Sequence, residues 1–215
     1  MIEHLSEWMP QLWRAAGDTV EMMVVSFVLA LFIGAALAVM GASRMRALSS
    51  AARLYINVIR GTPVLAQLFF IYFGLAEMGV VMSSYQAAVI GLAANSGAYV
   101  AEIYRAGIES IPKGQLEAAR GLGLRGLQVA RFVVIPQMMT VILPPLANQA
   151  VILIKETSVA SLIAAPELML RARDLASEYF MPLELYVVAG AMYFLLAFPI
   201  SMLARVLEVR LRVYR

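Results

Sequence analysis

The stretch GQLEAARGLGLRGLQVARFVVIP, residues 114–136, differs from the sequence around it. Glycines interrupt it, and it carries three arginines and one glutamate in a chain that is 62% hydrophobic and only 14% charged. Soluble domains have about 45–50% apolar and about 25% charged residues. Charge is therefore too scarce here to cover a water-facing surface, and the composition predicts a membrane protein with one unusually polar internal segment.

Five stretches are apolar and long enough to cross a bilayer, which takes roughly 20 residues. They are residues 19–40, 63–81, 85–104, 138–163 and 185–207. The sequence therefore predicts an all-α membrane protein with five transmembrane helices. The polar N-terminal stretch predicts a short separate helix at the membrane interface, with Trp8 and Trp13 as its anchors.

Basic residues predict the orientation, because they accumulate on the cytoplasmic side of membrane proteins. Most of the 17 basic residues fall in three segments that alternating spans place on one side. They are Arg44, Arg46, Arg53 and Arg60, then Arg105, Lys113, Arg120, Arg125 and Arg131, then Arg205, Arg210, Arg212 and Arg215. The N-terminus is therefore expected outside and the C-terminus in the cytoplasm. The net charge of +3 reflects this topology rather than nucleic-acid binding.

Neither metal nor nucleotide chemistry is visible in the sequence. The single histidine, His4, has no neighbouring ligand candidate, and the chain has no cysteine. A lone histidine offers no metal-ligand constellation. The chain also lacks the G-x-x-x-x-G-K-[ST] phosphate loop. We therefore expect a non-catalytic chain without a bound metal or cofactor.

Helix signals predict ordered structure in the cytoplasmic segment. Ser110 is a suitable N-cap and Pro112 suits a first helical turn. Gly121 and Gly123 predict a break after about ten residues. Ala118 and Ala119 would give this helix a flat surface of small side chains, which favours docking of a cytosolic partner. An amphipathic helix lying on the lipid headgroups fits the same residues equally well.

The motif spacing distinguishes between these two interpretations. The letters EAA at 117–119 are followed after three residues by Gly123, and after nine more by VVIP at 133–136. This arrangement resembles the EAA loop of ABC importer permeases, which reads EAA, three residues, G, nine residues, I-x-L-P. Valine and isoleucine replace its isoleucine and leucine.

Three further stretches resemble the permeases of polar amino-acid importers, the histidine, arginine, glutamine and octopine group. They are RGTPVLAQLFFIYFGL at 60–75, NSGAYVAEIYRAGIESIPKGQLEAARGLG at 95–123 and KETSVASLI at 155–163. The resemblance implies one type I ABC importer transmembrane domain over 1–215, with a cytoplasmic coupling loop at 106–136. It assigns ATPase coupling to Glu117, Ala118, Ala119, Arg120, Gly123 and Pro136.

The resemblance also implies the assembly. The chain would be the permease subunit of an ATP-driven importer that carries polar amino acids across a bacterial plasma membrane by alternating access. Its partners would be a cytosolic ABC ATPase dimer that holds ATP and magnesium, a second permease subunit, identical or paralogous, and an extracytoplasmic solute-binding protein. The alternative is a subunit of a gradient-driven transporter or channel. Such proteins show inverted repeats with matching broken helices, and an odd number of spans does not fit that pattern.

Polar groups inside a bilayer are costly and mark function. The predicted substrate-binding residues are Glu156, Thr157, Ser158 and Ser161 in the fourth span, Asn95 and Ser96 in the third, and Gln67 in the second. Glu156 is expected to bind an ammonium or guanidinium group. Pro144 and Pro145, which precede it in the same span, predict a kinked helix. Two alternatives stay open: an ion pair of Glu156 with Lys155, and a role for Gln67 in joining helices. Glu102 and Arg105 predict an interfacial ion pair.

Overall fold

The protein, represented by a computed structural model, is described here over residues 5–212, and every regular element in that range is helical. His4 lies outside the described residues. The α-helices are α1 (Leu5–Gly41), α2 (Arg46–Arg60), α3 (Val64–Phe69), α4 (Leu75–Glu77), α5 (Ser84–Glu109), α6 (Lys113–Gly121), α7 (Gly126–Val129), α8 (Ile135–Glu156), α9 (Leu168–Tyr179) and α10 (Pro182–Arg212). Two π-helical turns, Phe70–Gly74 and Ala130–Val134, connect α3 to α4 and α7 to α8, and a 3-10 helix, Thr157–Ile163, follows α8.

Helix α5 lies at the centre of the fold, packed against α1, α2, α3 and α8. Half of its residues are buried, and many of these are glycine, alanine or serine. A Cβ atom on Gly97 would lie 2.6 Å from Cγ2 of Ile33, and one on Gly34 would lie 2.4 Å from Cγ1 of Val100. The backbones of α1 and α5 therefore approach more closely than larger residues would allow, as small residues permit in membrane proteins.

Three helical runs in the described range are long and apolar enough to cross a membrane: Glu7–Gly41, Gly126–Ile163 and Pro182–Leu211. They contain the predicted first, fourth and fifth spans. The predicted second span belongs to a pair of helices, Arg46–Arg60 and Val64–Glu77, which bend by 107° and count as a fourth span if taken together. The predicted third span is helical within α5 but is less apolar, which suits a helix surrounded by other helices. The count of five spans stays a prediction.

The separate interfacial helix predicted at the N-terminus is wrong, because α1 is continuous from Leu5 to Gly41. Trp8, Leu12 and Ala16, spaced four residues apart on one face of α1, are buried against α9 and α10. Trp13 lies off that face and is 54% exposed. Packing against α9 extends the first helix well beyond its apolar part.

Two further local features differ from the expectations. Ser110 is the C-cap of α5 rather than the N-cap of the next helix, and its hydroxyl donates to the carbonyl of Gly107 at 2.7 Å. Helix α9, between the fourth and fifth predicted spans, has no counterpart in the sequence analysis. At Pro144 and Pro145, where a kink was expected, the helical assignment of α8 is not interrupted and continues to Glu156.

Candidate functional site: the coupling loop and a buried carboxylate

The coupling loop consists of α6, a tight turn and the start of α7. Gly123 adopts a φ of +77° in this turn, a conformation that glycine accepts without steric cost. The backbone N–H of Leu124 donates to the carbonyl of Ala119 at 3.2 Å, which closes the end of α6. The predicted helix break at Gly121 and Gly123 is confirmed, and its cause is this left-handed glycine.

The coupling residues predicted on α6 do not all face outward. Glu117, Ala118 and Arg120 are exposed, whereas Ala119 is only 5% exposed and packs within the chain. The small-residue surface offered to a partner is therefore Ala118 with its exposed neighbours. The role of these residues in coupling stays a prediction.

Two leucines beside the glycine turn were not singled out from the sequence. Leu122 is 82% exposed and Leu127 is 83% exposed. Leu122 follows α6 outside the apolar spans, and Leu127 lies in the first turn of the run Gly126–Ile163. Large apolar side chains this exposed indicate an interaction surface. Leucines directly flanking a glycine-rich turn were the signal that could have identified them.

Pro136, the last predicted coupling residue, lies in the first turn of α8. The motif thus covers two units, the short helix α6 and the base of the long run Gly126–Ile163. Helix α6 packs mainly against the next two elements of the chain, α7 and the π-helical turn Ala130–Val134. Helix α6 is therefore in contact with the start of the run that contains α8.

Glu156 ends α8, and one of its carboxylate oxygens has no partner. Among the described residues, its Oε2 is the buried side-chain oxygen or nitrogen atom that lacks any hydrogen bond. Lys155, its neighbour in sequence, is exposed and leaves that oxygen unbonded. The alternative of a closed ion pair with Lys155 is therefore not what the geometry favours.

The predicted hydroxyl groups around Glu156 donate to backbone carbonyls one turn earlier. Thr157 donates to Ile154 at 2.8 Å, Ser158 to Lys155 at 2.6 Å and Ser161 to Ser158 at 2.7 Å. Thr157 and Ser161 are buried. Since their protons are committed, these hydroxyls can offer only lone pairs to a ligand. They follow Glu156 directly in the 3-10 helix, and their acceptor character would suit a cationic group.

The second-rank candidates join helices. The Nε2 of Gln67 donates to Oγ1 of Thr62 at 2.8 Å, and its Oε1 accepts a hydrogen bond from Asn95 at 3.0 Å. Ser96 accepts a hydrogen bond from Gln149 at 3.2 Å in the buried contact between α5 and α8. These bonds favour the helix-joining interpretation. Substrate binding by Gln67, Asn95 and Ser96 stays a prediction, and the sequence analysis did not identify Gln149.

A second buried carboxylate, Glu167, differs from Glu156 because both of its oxygens accept hydrogen bonds. It caps α9, accepting from the N–H of Met169 at 2.9 Å and of Leu170 at 2.6 Å, and it also accepts from the hydroxyl of Tyr193. Burial raises the pKa of Glu167, and these three hydrogen bonds act in the opposite direction. Glu167 is therefore a structural cap.

The predicted pair of Glu102 and Arg105 is confirmed at 2.9 Å. Arg60 also contacts Glu102, at 3.3 Å, and Arg105 contacts Glu109 at 2.7 Å. These ion pairs tie the end of α2 to α5 near their predicted cytoplasmic ends.

Comparison with known proteins connects these features to a family. Residues 26–213 match the family described as binding-protein-dependent transport system inner membrane component. The chain belongs to this family. The permease is 36% identical to the probable amino-acid ABC transporter permease YckA of Bacillus subtilis over 94% of this chain and 89% of that one. It is 38% identical to the octopine transport system permease OccM of Rhizobium radiobacter over 87% and 80%.

A solved structure supports the same assignment. The permease superposes with a TM-score of 0.90 on a chain from the crystal structure of an amino acid ABC transporter with histidines, at 35% identity and covering 96% of both chains. The permease is therefore an integral, multi-pass membrane protein with the transmembrane fold of a type I ABC importer. This membership goes against the gradient-driven alternative.

Proposed function

We propose that the permease and a second permease subunit, identical or paralogous, form the translocation path of an ATP-driven importer for polar amino acids. Five helices cross the bacterial inner membrane, with the N-terminus outside and the C-terminus in the cytoplasm. A cytosolic ATPase dimer holds ATP and magnesium, and an external solute-binding protein delivers the substrate. Support comes from the amino-acid and octopine permeases among the relatives and from the solved amino acid transporter.

The proposed coupling runs along one helix. The ATPase docks on α6 and on the exposed Leu122 and Leu127, and its closure during ATP binding moves α6. The movement passes through the π-helical turn into α8, whose 22 residues span roughly 33 Å at about 1.5 Å per residue, close to the thickness of a hydrocarbon core. A movement in the cytosol therefore reaches Glu156 and alternates the side to which the site opens.

The single observation that supports the substrate site is the unbonded Oε2 of Glu156. An unpaired, buried carboxylate oxygen is costly, and such atoms in native structures call for an explanation. An ammonium or guanidinium group of an amino acid would supply the missing hydrogen bond. Thr157, Ser158 and Ser161 would contribute further acceptors around that cation.

The test is reconstitution of the permease with the ATPase that co-purifies with it. We expect ATP enclosed in the vesicles, on the cytoplasmic face, to drive uptake of a radiolabelled amino acid presented with the solute-binding protein. Competition by the twenty amino acids in turn identifies the substrate. Uptake that follows an ion gradient and ignores ATP, or purification without any ATPase, would contradict the proposal.

A further inference from the structure

A cleft with charged groups on one wall lies along α8, on the predicted cytoplasmic side of Glu156. Its volume is about 410 Å³, and it opens between the end of α2, the second half of α5 and the middle of α8. Gln149 lines it, seven residues before Glu156 and therefore roughly 10 Å away along the helix. The cleft is thus separate from the site at Glu156 but lies on the same helix.

Arg60 on one wall has hydrogen-bonding capacity to spare. Its guanidinium lies 5.3 Å from the ring centroid of Tyr99 and 3.3 Å from a carboxylate oxygen of Glu102, and its side chain is 41% exposed. Arg105, by contrast, directs Nε and both terminal nitrogens at Glu102 and Glu109. A guanidinium has five N–H donors, so Arg60 can bind an additional anion in the cleft.

The opposite wall offers an acceptor. Val141 and Pro145 both line the cleft on α8. Proline has no N–H, so Pro145 cannot give the carbonyl of Val141 the hydrogen bond that a helix normally supplies four residues on. Because Glu102 is already held by two guanidinium groups, the carbonyl of Val141 is an acceptor with capacity for a ligand donor.

The charges decide which ligand fits. Arg60, Arg105 and Glu102 line the cleft, and Arg105 also contacts Glu109, so the charged groups balance and suit a zwitterion that brings one charge of each sign. The phosphate of phosphatidylglycerol would satisfy Arg60 but would bring no ammonium group to the carbonyl of Val141. The carboxylate and ammonium groups of an α-amino acid satisfy both walls at once.

We propose that this cleft is a second amino-acid site, which holds the substrate after it leaves Glu156 and before it reaches the cytosol. Arg60 binds the carboxylate, and the Val141 carbonyl accepts a hydrogen bond from the ammonium group. The cleft therefore recognises the main-chain groups of the amino acid and not its side chain. This inference rests on the proposed import of amino acids.

The experiment uses a cysteine reporter, because the chain contains no cysteine. Ala106 lines the cleft and is exposed, so Ala106→Cys reports on its occupancy. Labelling by N-ethylmaleimide is measured on the permease in its ATPase complex with L-arginine, L-glutamine or agmatine, the decarboxylated form of arginine. We expect both amino acids to slow labelling and agmatine, which lacks the carboxylate, to leave it unchanged. Gln115→Cys, outside the cleft, should be unprotected.

Two substitutions test the two walls. Arg60→Gln should raise the amino-acid concentration for half-protection about tenfold or more, as expected for the loss of one charge-assisted bond. Pro145→Ala restores an N–H for the Val141 carbonyl and should also weaken protection. Pro144→Ala is the matched control, because the carbonyl it restores belongs to Thr140, which does not line this cleft. Glu156→Gln should leave protection unchanged.

Several outcomes would overturn the second site. They are equal protection by agmatine, an absence of protection by both amino acids, or protection that depends on Glu156 and not on Arg60. Protection by phosphatidylethanolamine or phosphatidylglycerol without any effect of amino acids would assign the cleft to a lipid headgroup instead. ATP-driven uptake is measured in the same vesicles, so uptake without protection refutes the cleft alone, whereas loss of ATP-driven uptake counts against the proposed function.

Discussion

The two ends of the helical run Gly126–Ile163 differ in geometry and in surroundings. Near its predicted cytoplasmic end the backbone widens into a π-helical turn, Ala130–Val134, and Leu127 is 83% exposed. At the other end it tightens into a 3-10 helix, Thr157–Ile163, beside the unbonded oxygen of Glu156. Departures of this kind from α-helical geometry often mark functional sites or hinges.

The difference shows what each end lacks. The first end carries exposed apolar side chains, which a protein surface can cover. The second buries a polar atom without a hydrogen bond, which a polar ligand can supply. Because one helix joins them, whatever binds the first end can act on the second. The comparison depends on the predicted orientation, in which the coupling loop lies in the cytoplasm and Glu156 lies at the far end of the fourth span.

The largest expected effect is therefore a difference in labelling between the two sides. Val80 and Gln115 are exposed in the structure. We expect Val80→Cys to react with an impermeant thiol reagent outside intact cells, and Gln115→Cys to react only after permeabilisation. The absence of native cysteine keeps the background low. The reverse pattern would overturn the orientation and with it the assignment of the coupling end.

The next effect concerns the coupling end, where Gly123 combines a positive φ with an exposed position. Gly123→Leu should abolish co-purification of the ATPase and ATP-driven uptake while leaving membrane insertion intact. Gly17→Leu, at an exposed glycine of α1 with open space around it, is the control and should assemble normally.

Two smaller substitutions separate the possible causes of that loss. Asparagine tolerates the left-handed conformation and adds bulk, whereas alanine adds little bulk but costs about 1–2 kcal/mol of strain. If the ATPase approaches this turn closely, Gly123→Asn should fail nearly as badly as Gly123→Leu. Normal assembly of Gly123→Asn beside a defective Gly123→Ala would show that the turn conformation alone matters and would contradict close docking.

Local signals in the sequence predicted the coupling end well. The glycines at 121 and 123 end α6, and the EAA spacing marks the loop. The apolar runs of the first, fourth and fifth spans also appear as long helices, because a lipid-facing helix must be apolar along its length. Exposure could not be predicted in the same way. Ala119 is buried and Ala118 exposed because α6 packs against α7, which is a tertiary contact.

The other end was predicted less completely, since burial there depends on several helices. The KETS letters indicated Glu156, but its unbonded oxygen is a property of packing. The sequence analysis did not single out Glu167, because it lies between the predicted fourth and fifth spans. It becomes a buried N-cap only because α9 forms there. The same contacts between α1 and α9 explain the error at the N-terminus. Helix α5 was expected as one span among five, yet its small residues place it at the centre.

At the substrate end, Glu156→Gln should weaken uptake, most strongly for cationic amino acids. A charge-assisted hydrogen bond contributes on the order of 1.5–3 kcal/mol, which corresponds to roughly tenfold to a hundredfold in affinity. ATPase assembly should persist, because the coupling loop lies at the other end of the run. The measurements are uptake kinetics and thermal unfolding of the complex.

The control for Glu156 is the double variant Glu156→Gln/Lys155→Met. If Glu156 only neutralises Lys155, the single variant leaves an unpaired cation and loses stability, and the double variant recovers both stability and uptake. We expect no recovery of uptake, since Lys155 is exposed. Full recovery would refute the substrate role.

The smallest expected effect concerns the buried bond between Ser96 on α5 and Gln149 on α8, 3.2 Å long. Ser96→Ala and Gln149→Leu should each lower the thermal stability of the complex slightly. Their double-mutant cycle should give a coupling of about 0.6 kcal/mol, the average for hydrogen bonds between transmembrane helices. Ser201→Ala is the control, because the hydroxyl of Ser201 bonds within its own helix, to the carbonyl of Ala197 at 3.0 Å. The same substitution there removes no hydrogen bond between helices. If Ser96 binds substrate instead, Ser96→Ala would raise the KM for uptake with little change in stability, and the coupling to Gln149 would be absent. That result would move the substrate site from the end of α8 towards its middle and weaken the contrast between the two ends.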